Sequence, residues 1–144
     1  MLVVLVGVPG SGKSTYAHAN FRHVVSPDAI RLERFGVRFD RTIEGAVWKD
    51  AYARVASHLD RGEVVCFDAT SVTRKRRRKL LSLARDAGAP AVAIWLRIDT
   101  ETAWTRNKQR EHAVPRRAFA QLVRALQPPE TEEGFAAVRT IDVD

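Results

Sequence analysis

Eight residues near the start of the chain carry the clearest chemistry. Gly7-Val8-Pro9-Gly10-Ser11-Gly12-Lys13-Ser14 fits the pattern G-x-x-x-x-G-K-[ST]. Glycines let such a loop curl until successive backbone N–H groups face inward, where they can hold phosphate oxygens. A helix opening near Lys13 adds the positive end of its dipole. Lys13 then supplies a mobile cation for β- and γ-phosphates, and Ser14 a hydroxyl ligand for Mg²⁺. Gly7, Pro9, Gly10, Ser11, Gly12, Lys13, Ser14 and the following Thr15 are therefore the candidate nucleotide-binding residues. ATP and Mg²⁺ are the expected ligands, with Ser14 as the candidate metal ligand.

Further charged groups could complete such a site. Asp28 and Arg31 stand three apart on an expected helix and so share a face. There Asp28 could take a proton from an acceptor hydroxyl while Arg31 holds an acceptor oxygen. A surface ion pair at the same spacing is the competing reading. Val64-Val65-Cys66-Phe67 is closed by Asp68, the setting in which a phosphate-loop protein places a second carboxylate near the metal's water shell. Arg106 and Arg110 are four apart on one expected helix, with Arg117 beyond Pro115. Arginines on a closing helix can stabilise charge on a transferring phosphoryl group. Asp28, Lys13, Arg31, Arg110 and Asp68 are the candidate catalytic residues, and Arg106 joins Arg110 as a candidate donor-phosphate contact. Arg74-Lys75-Arg76-Arg77-Arg78-Lys79 is a basic run at a helix start, against the dipole, which hints at a nucleic-acid backbone as partner. His18, His23, His58 and His112 show no metal-ligand spacing.

These groups need elements to position them. Leu2–Val6 reads as a strand buried on both faces, followed by a helix over Ser14–Asn20. His23–Ser26 reads as a short strand, and Ser26-Pro27 as the N-cap and first position of a helix ending at Phe35 before Gly36. Trp48, Tyr52, Val55 and Leu59 mark an amphipathic helix over 44–61. Val64–Phe67 is a third strand, Thr73–Asp86 a helix, Ala91–Ile98 a fourth strand. Helices follow from Asp99 to about Glu111 and from Arg116 to Gln127, then a strand over Val138–Val143. Alternation of this kind specifies an α/β fold with a parallel sheet.

Composition bounds the rest. The 144 residues suit a single domain, 1–144. The apolar start is too short to span a membrane. One cysteine permits no internal disulfide and no zinc cluster, which fits a cytoplasmic setting. A net charge of +7 favours polyanionic partners.

Taken together, the motifs resemble the 5′-kinase module of phage and bacterial polynucleotide kinases and the small AAA_33-like P-loop kinases grouped with them. The resemblance rests on Gly7 to Thr15, Ser26-Pro27-Asp28-Ala29-Ile30-Arg31, Val65 to Thr70, Arg106-Asn107-Lys108-Gln109-Arg110 with Val114-Pro115, and Glu133-Gly134-Phe135. It implies a P-loop kinase fold of about five parallel strands in adenylate-kinase-like order, with a helical lid over roughly 104–118. It implies Asp28 as general base, Arg31 at the acceptor end, Asp68 as a required acid, and Arg110 on the donor phosphates. The expected activity is ATP- and Mg-dependent phosphorylation of 5′-hydroxyl ends of RNA or DNA. Small-molecule or toxin-type kinases and a non-catalytic nucleotide-binding module remain as alternatives. Pro27 departs from relatives that carry a basic residue there.

Overall fold

The computed structural model describes residues 1–37 and 39–144. Five parallel strands form one sheet: β1 (Leu2–Val6), β2 (Val24–Val25), β3 (Val65–Phe67), β4 (Ala91–Ile98) and β5 (Ala137–Val143). Their order is β2-β3-β1-β4-β5. The helices are α1 (Lys13–Asn20), α2 (Pro27–Phe35), α3 (Glu44–Asp60), α4 (Arg74–Asp86), α5 (Thr100–Lys108) and α6 (Arg116–Ala125). This is the P-loop kinase architecture, in the strand order expected. No helix among the described residues is long and apolar enough to cross a membrane.

The central strand explains the layering. All five residues of β1 are buried. The period-two pleat sends Leu2, Val4 and Val6 to one face, where α2, α3 and α4 cover them through Ile30, Val47, Val55 and Leu80. Val3 and Leu5 face the other side, against Ala17 of α1 and Ile94 and Leu96 of β4. A smaller cluster of Val8, Ala103 and Phe119 fastens α5 and α6 to the phosphate loop. Fully burying one such phenylalanine contributes roughly 1.5–3 kcal/mol.

Local signals set most helix ends. Ser26 Oγ accepts from Ala29 N, and Gly36 closes α2 at φ 68°. Thr73 and Asp99 cap α4 and α5 in the same way. Elsewhere tertiary contacts override the sequence expectation. The second strand is only Val24–Val25, because Ser26 has become a cap. The third begins at Val65, and Val64 is exposed. The α5 helix stops at Lys108 rather than Glu111. Asn107 is fully buried there, and its side chain bonds both N and O of Val114, folding the chain back. The α6 helix ends two residues early: Gln127 N donates to Val72 O, and Gln127 Oε1 accepts from Arg74 N.

Candidate active site

The loop between β1 and α1 takes the shape that its glycines allow. Gly10 and Gly12 lie at φ 89° and 91°, a region costly for other residues. Gly10 has a second reason to lack a side chain. A Cβ there would come within 2.2 Å of Ala103 O, so the loop and the α5 backbone touch directly. Lys13 Nζ curls over the loop and donates to Val8 O at 3.1 Å. Burial strips water from this ammonium and pushes its pKa down to about 8, opposed by the nearby carboxylates of Asp68 and Asp28 and reinforced by Arg110. Those three charges therefore converge on Lys13. They reach it from the end of β3, the first turn of α2, and the turn after α5.

Where the metal is expected, Ser14 Oγ donates to Asp68 Oδ2 at 2.7 Å, and Asp68 is buried. A hydroxyl beside a buried carboxylate is the all-oxygen donor set that Mg²⁺ prefers. Ser11 Oγ is buried with no hydrogen-bond partner among the described residues. An unpaired buried hydroxyl beside a partly desolvated ammonium fits a site that receives anionic oxygens. Both observations suit a Mg-nucleotide.

On the other side of Lys13, the α2 residues form a network that the sequence only half disclosed. Arg31, expected at the acceptor end, is 7% exposed. Its guanidinium is already engaged: Nε and Nη2 donate to Glu44 Oε2 and Oε1 at 2.7 and 2.6 Å, and Nη1 donates to Asp28 Oδ1. In this arrangement Arg31 orients Asp28, and Glu44 orients Arg31. Glu44 hydrogen bonds raise the Arg31 pKa, and Arg31 in turn holds the Glu44 carboxyl below its ordinary range. The Asp28 side chain is 70% exposed, open to an incoming hydroxyl. Glu44 escaped the sequence reading because it lies 13 residues from Arg31 on another helix, a separation that no periodicity links. Its one local signal, an acid in the first turn of α3, has an ordinary dipole explanation.

Arg106 and Arg110 part company. Arg110 lies beyond the end of α5, with its N–H on Asn107 O, and its charge acts on Lys13. Arg106 donates to the main-chain oxygen of Asp144.

The basic run also divides. Arg77 is fully buried, fork-to-fork with Glu133 at 2.8 and 2.9 Å, and also donates to Ser71 O and Gln127 O. It ties the loop after Asp68 to the chain beyond α6. Arg74 pairs with Glu130. Arg76 instead lies over the Trp48 ring at 5.2 Å and acts on Glu44, so it belongs to the Asp28 side of the site. Thus Trp48 packs on Tyr52, Phe67 and Arg76, whereas Trp104 packs on Phe119 near Lys108 and Arg116.

One cluster lies outside the site. Sequence spacing showed no metal-ligating histidines, yet the fold brings His23, His58 and Glu63 ligand atoms within 4.8 Å of one another. Arg61 already occupies this cluster, with Nε 2.7 Å from Glu63 Oε1 and Nη2 3.1 Å from His58 Nδ1. Cys66 is buried and pushed up to about 12 by desolvation, an inert thiol.

Comparison with known proteins bears on the fold and the family. The AAA_33 family, an AAA domain, matches residues 2–129. A curated relative, the L-seryl-tRNA(Sec) kinase of Methanococcus maripaludis, is 23% identical over 142 residues, covering 92% of this chain. The chain spans only about half, 54%, of that relative's length. Among solved structures, a chain of the Pnkp1/Rnl/Hen1 RNA repair complex superposes with a TM-score of 0.77 at 26% identity, covering 88% of this chain and 43% of that one. The Mycobacterium tuberculosis APS kinase CysC, in complex with AMPPNP and APS, gives 0.65 at 17% identity, covering 99% and 89%. A phosphate loop opening α1, the β2-β3-β1-β4-β5 sheet and a family match over most of its length show that this chain belongs to the AAA_33 family and has the P-loop kinase fold.

Proposed function

We propose that the protein is an ATP- and Mg-dependent kinase that transfers the γ-phosphoryl group to a 5′-hydroxyl end of RNA or DNA. The observation that carries the reading is the phosphate loop with Lys13 folded over it onto Val8 O and Ser14 Oγ bonded to the buried Asp68 at the start of the helix. Lys13, Ser11, the loop glycines and the free N–H groups of the first turn of α1 would hold the triphosphate. Mg²⁺, bound by Ser14 Oγ and through water by Asp68, would neutralise charge on the β- and γ-phosphates. Asp28, oriented through Oδ1 by Arg31, is the general base. The acceptor O–H proton passes to its carboxylate, the acceptor oxygen bonds to the γ-phosphorus, and the bond to the bridging β–γ oxygen breaks to release ADP. Arg110 stabilises charge as that bond loosens. Most of the rate enhancement comes from positioning. We place these groups in one domain, with the chain over roughly 104–118 closing on the donor.

A polynucleotide end is favoured over a small alcohol by the +7 charge and by Arg76 standing over the Asp28 side. The likeness to a chain of an RNA repair complex supports it, as does the likeness to a curated kinase whose name carries a tRNA. A small-molecule acceptor is the second reading, supported by the likeness to APS kinase.

The test is labelling from γ-labelled ATP with a panel of 5′-hydroxyl RNA and DNA oligonucleotides, aminoacylated tRNA and small alcohols. Label on oligonucleotide 5′ ends is expected. Asp28→Asn should lose about 10²–10⁴-fold in transfer while binding ATP unchanged. Label only on a small alcohol overturns the acceptor assignment, and full activity of Asp28→Asn removes Asp28 as base.

A further inference from the structure

Soluble folds bury large apolar side chains unless something else covers them. Among the described residues, the exposed large hydrophobics are Met1, Leu32, Val37, Phe39 and Val64. Leu32, Val37 and Phe39 follow directly on the residues that orient Asp28. Phe39 is the most exposed, at 69%. Its ring centroid lies 6.0 Å from the guanidinium carbon of Arg31, whose Nη1 is bonded to Asp28. The ring therefore sits one arginine headgroup away from the carboxylate where a reacting hydroxyl must arrive.

The charges around this ring indicate its occupant. Arg41, next in the same segment, is exposed and has no carboxylate partner among the described residues. Arg76 is exposed too, stacked on Trp48 and close enough to act on Glu44. An open aromatic face over one arginine, with an exposed arginine two residues further along the chain, is a composition that single-stranded nucleic acids use, with bases stacking on the ring and phosphates on the cations. A hydrophobic protein partner would instead favour an apolar patch free of such charges at its centre.

We infer that Phe39 is the stacking platform for the first base of the acceptor strand, a specificity-determining residue that places the 5′-hydroxyl on Asp28. This rests on the polynucleotide reading above and assigns a nucleobase to the acceptor side of that site. Leu32 and Val37 widen the platform, and Arg41 and Arg76 receive the phosphates that follow. The platform makes a base at the first position matter for binding, while its identity matters little.

The experiment is a binding titration without ATP, using a 5′-hydroxyl oligonucleotide with 2-aminopurine as its first base. Wild type should quench the fluorophore on stacking. Phe39→Ala should lose the quench and weaken binding about tenfold, and Phe39→Trp should keep both. Removing the first base from the strand should bring wild type down to the Phe39→Ala level. Phe39 is exposed, so the variants should melt like wild type. Equal affinity and quench in Phe39→Ala, with oligonucleotide labelling intact, overturns the platform alone. A wild type that neither binds nor labels any oligonucleotide overturns the acceptor reading beneath it. Unchanged oligonucleotide affinity together with lost self-association in Phe39→Ala assigns the surface to a protein instead, and overturns the inference.

Discussion

Around the phosphate loop the chain is held by backbone packing, whereas around Asp28 it is held by charges. Gly10 lies against the α5 main chain, and Val8, Ala103 and Phe119 close over the contact. Across Lys13, a chain of carboxylate and guanidinium groups runs from Asp28 through Arg31 to Glu44, with the exposed Phe39 ring against Arg31. The difference follows from what each side would bind. A triphosphate presents the same charged oxygens whatever the acceptor, so a rigid cradle serves it. An acceptor varies, and a face built from side chains can vary without rebuilding the backbone. Packing is also insensitive to salt, while exposed ion pairs are screened within about 10 Å at 0.1 M. The two sides should therefore fail in different ways.

The largest failure is expected at Gly10. Gly10→Ala adds a Cβ that meets Ala103 O at 2.2 Å, on a backbone already at φ 89°. The three nearest atoms, Ala103 O and C and Asn107 N, are all main chain, so α5 must move, and with it the turn that bears Arg110. Nucleotide affinity should fall by more than about tenfold, and the melting temperature by several degrees, as for other forced overpacking of about 1–3 kcal/mol. Gly12→Ala is the control. Its φ of 91° brings strain, but nothing lies within 4 Å of the added carbon, so roughly 1–2 kcal/mol of backbone cost is expected. Calorimetric melts of both, with and without nucleotide, measure the difference. Equal melts would show that the contact with α5 carries no weight.

The same division explains what was legible in the sequence. The donor side is written locally: Gly7 to Ser14 is contiguous, and Asp68 closes an apolar run. The sheet was legible as well, because β1 and β4 are buried runs with turn signals around them. The ion pairs were not. Arg31–Glu44 spans 13 residues, and Arg77–Glu133 spans 56. A guanidinium on a helix looks alike in sequence whether it is buried in a carboxylate fork, as Arg77 is, or stacked in solvent on Trp48, as Arg76 is. Arg106 and Arg110 showed the same limit. Helical spacing placed them on one face, but Asn107 ends the helix between them, and only the fold reveals its bonds to Val114.

A smaller effect should separate Glu44 from the donor side. Glu44→Ala frees two guanidinium donors of a mostly buried Arg31 and lets Asp28 wander. Transfer should drop about tenfold to a hundredfold through kcat, in line with other losses of an orienting partner, while ATP affinity stays near wild type. Glu44→Gln should recover part of the loss, because its amide oxygen still accepts one of the two bonds. Raising salt should change the gap between wild type and Glu44→Ala little, since the Arg31–Glu44 pair is mostly buried and weakly screened. A fall in ATP affinity matching the fall in kcat would merge the two halves into one unit.

The smallest effect is a matter of protons, and it has opposite signs on the two sides. Lys13 titrates near 8 in the folded chain against an ordinary 10.5. Between those values the unfolded chain holds more protons, so the strain of burying this cation is fully present below about pH 8 and is relieved as pH rises toward 10.5. Phosphate oxygens would restore the proton on binding. Nucleotide binding should thus take up close to one proton at about pH 9 and only about a tenth of one at about pH 7, with affinity falling up to about tenfold per pH unit above 8. Glu44 behaves in reverse. Its carboxyl is held below the usual range by Arg31, so its contribution is present above the ordinary carboxylate pKa and lost as acid titrates it. Isothermal titration of nucleotide at pH 7 and 9, in buffers with different ionisation heats, reads the uptake directly. Lys13→Met should abolish it, and Glu44→Ala should leave it intact. Zero uptake in wild type at pH 9 would mean that the ammonium keeps its proton unaided, and that the donor cradle is far wetter than its geometry describes.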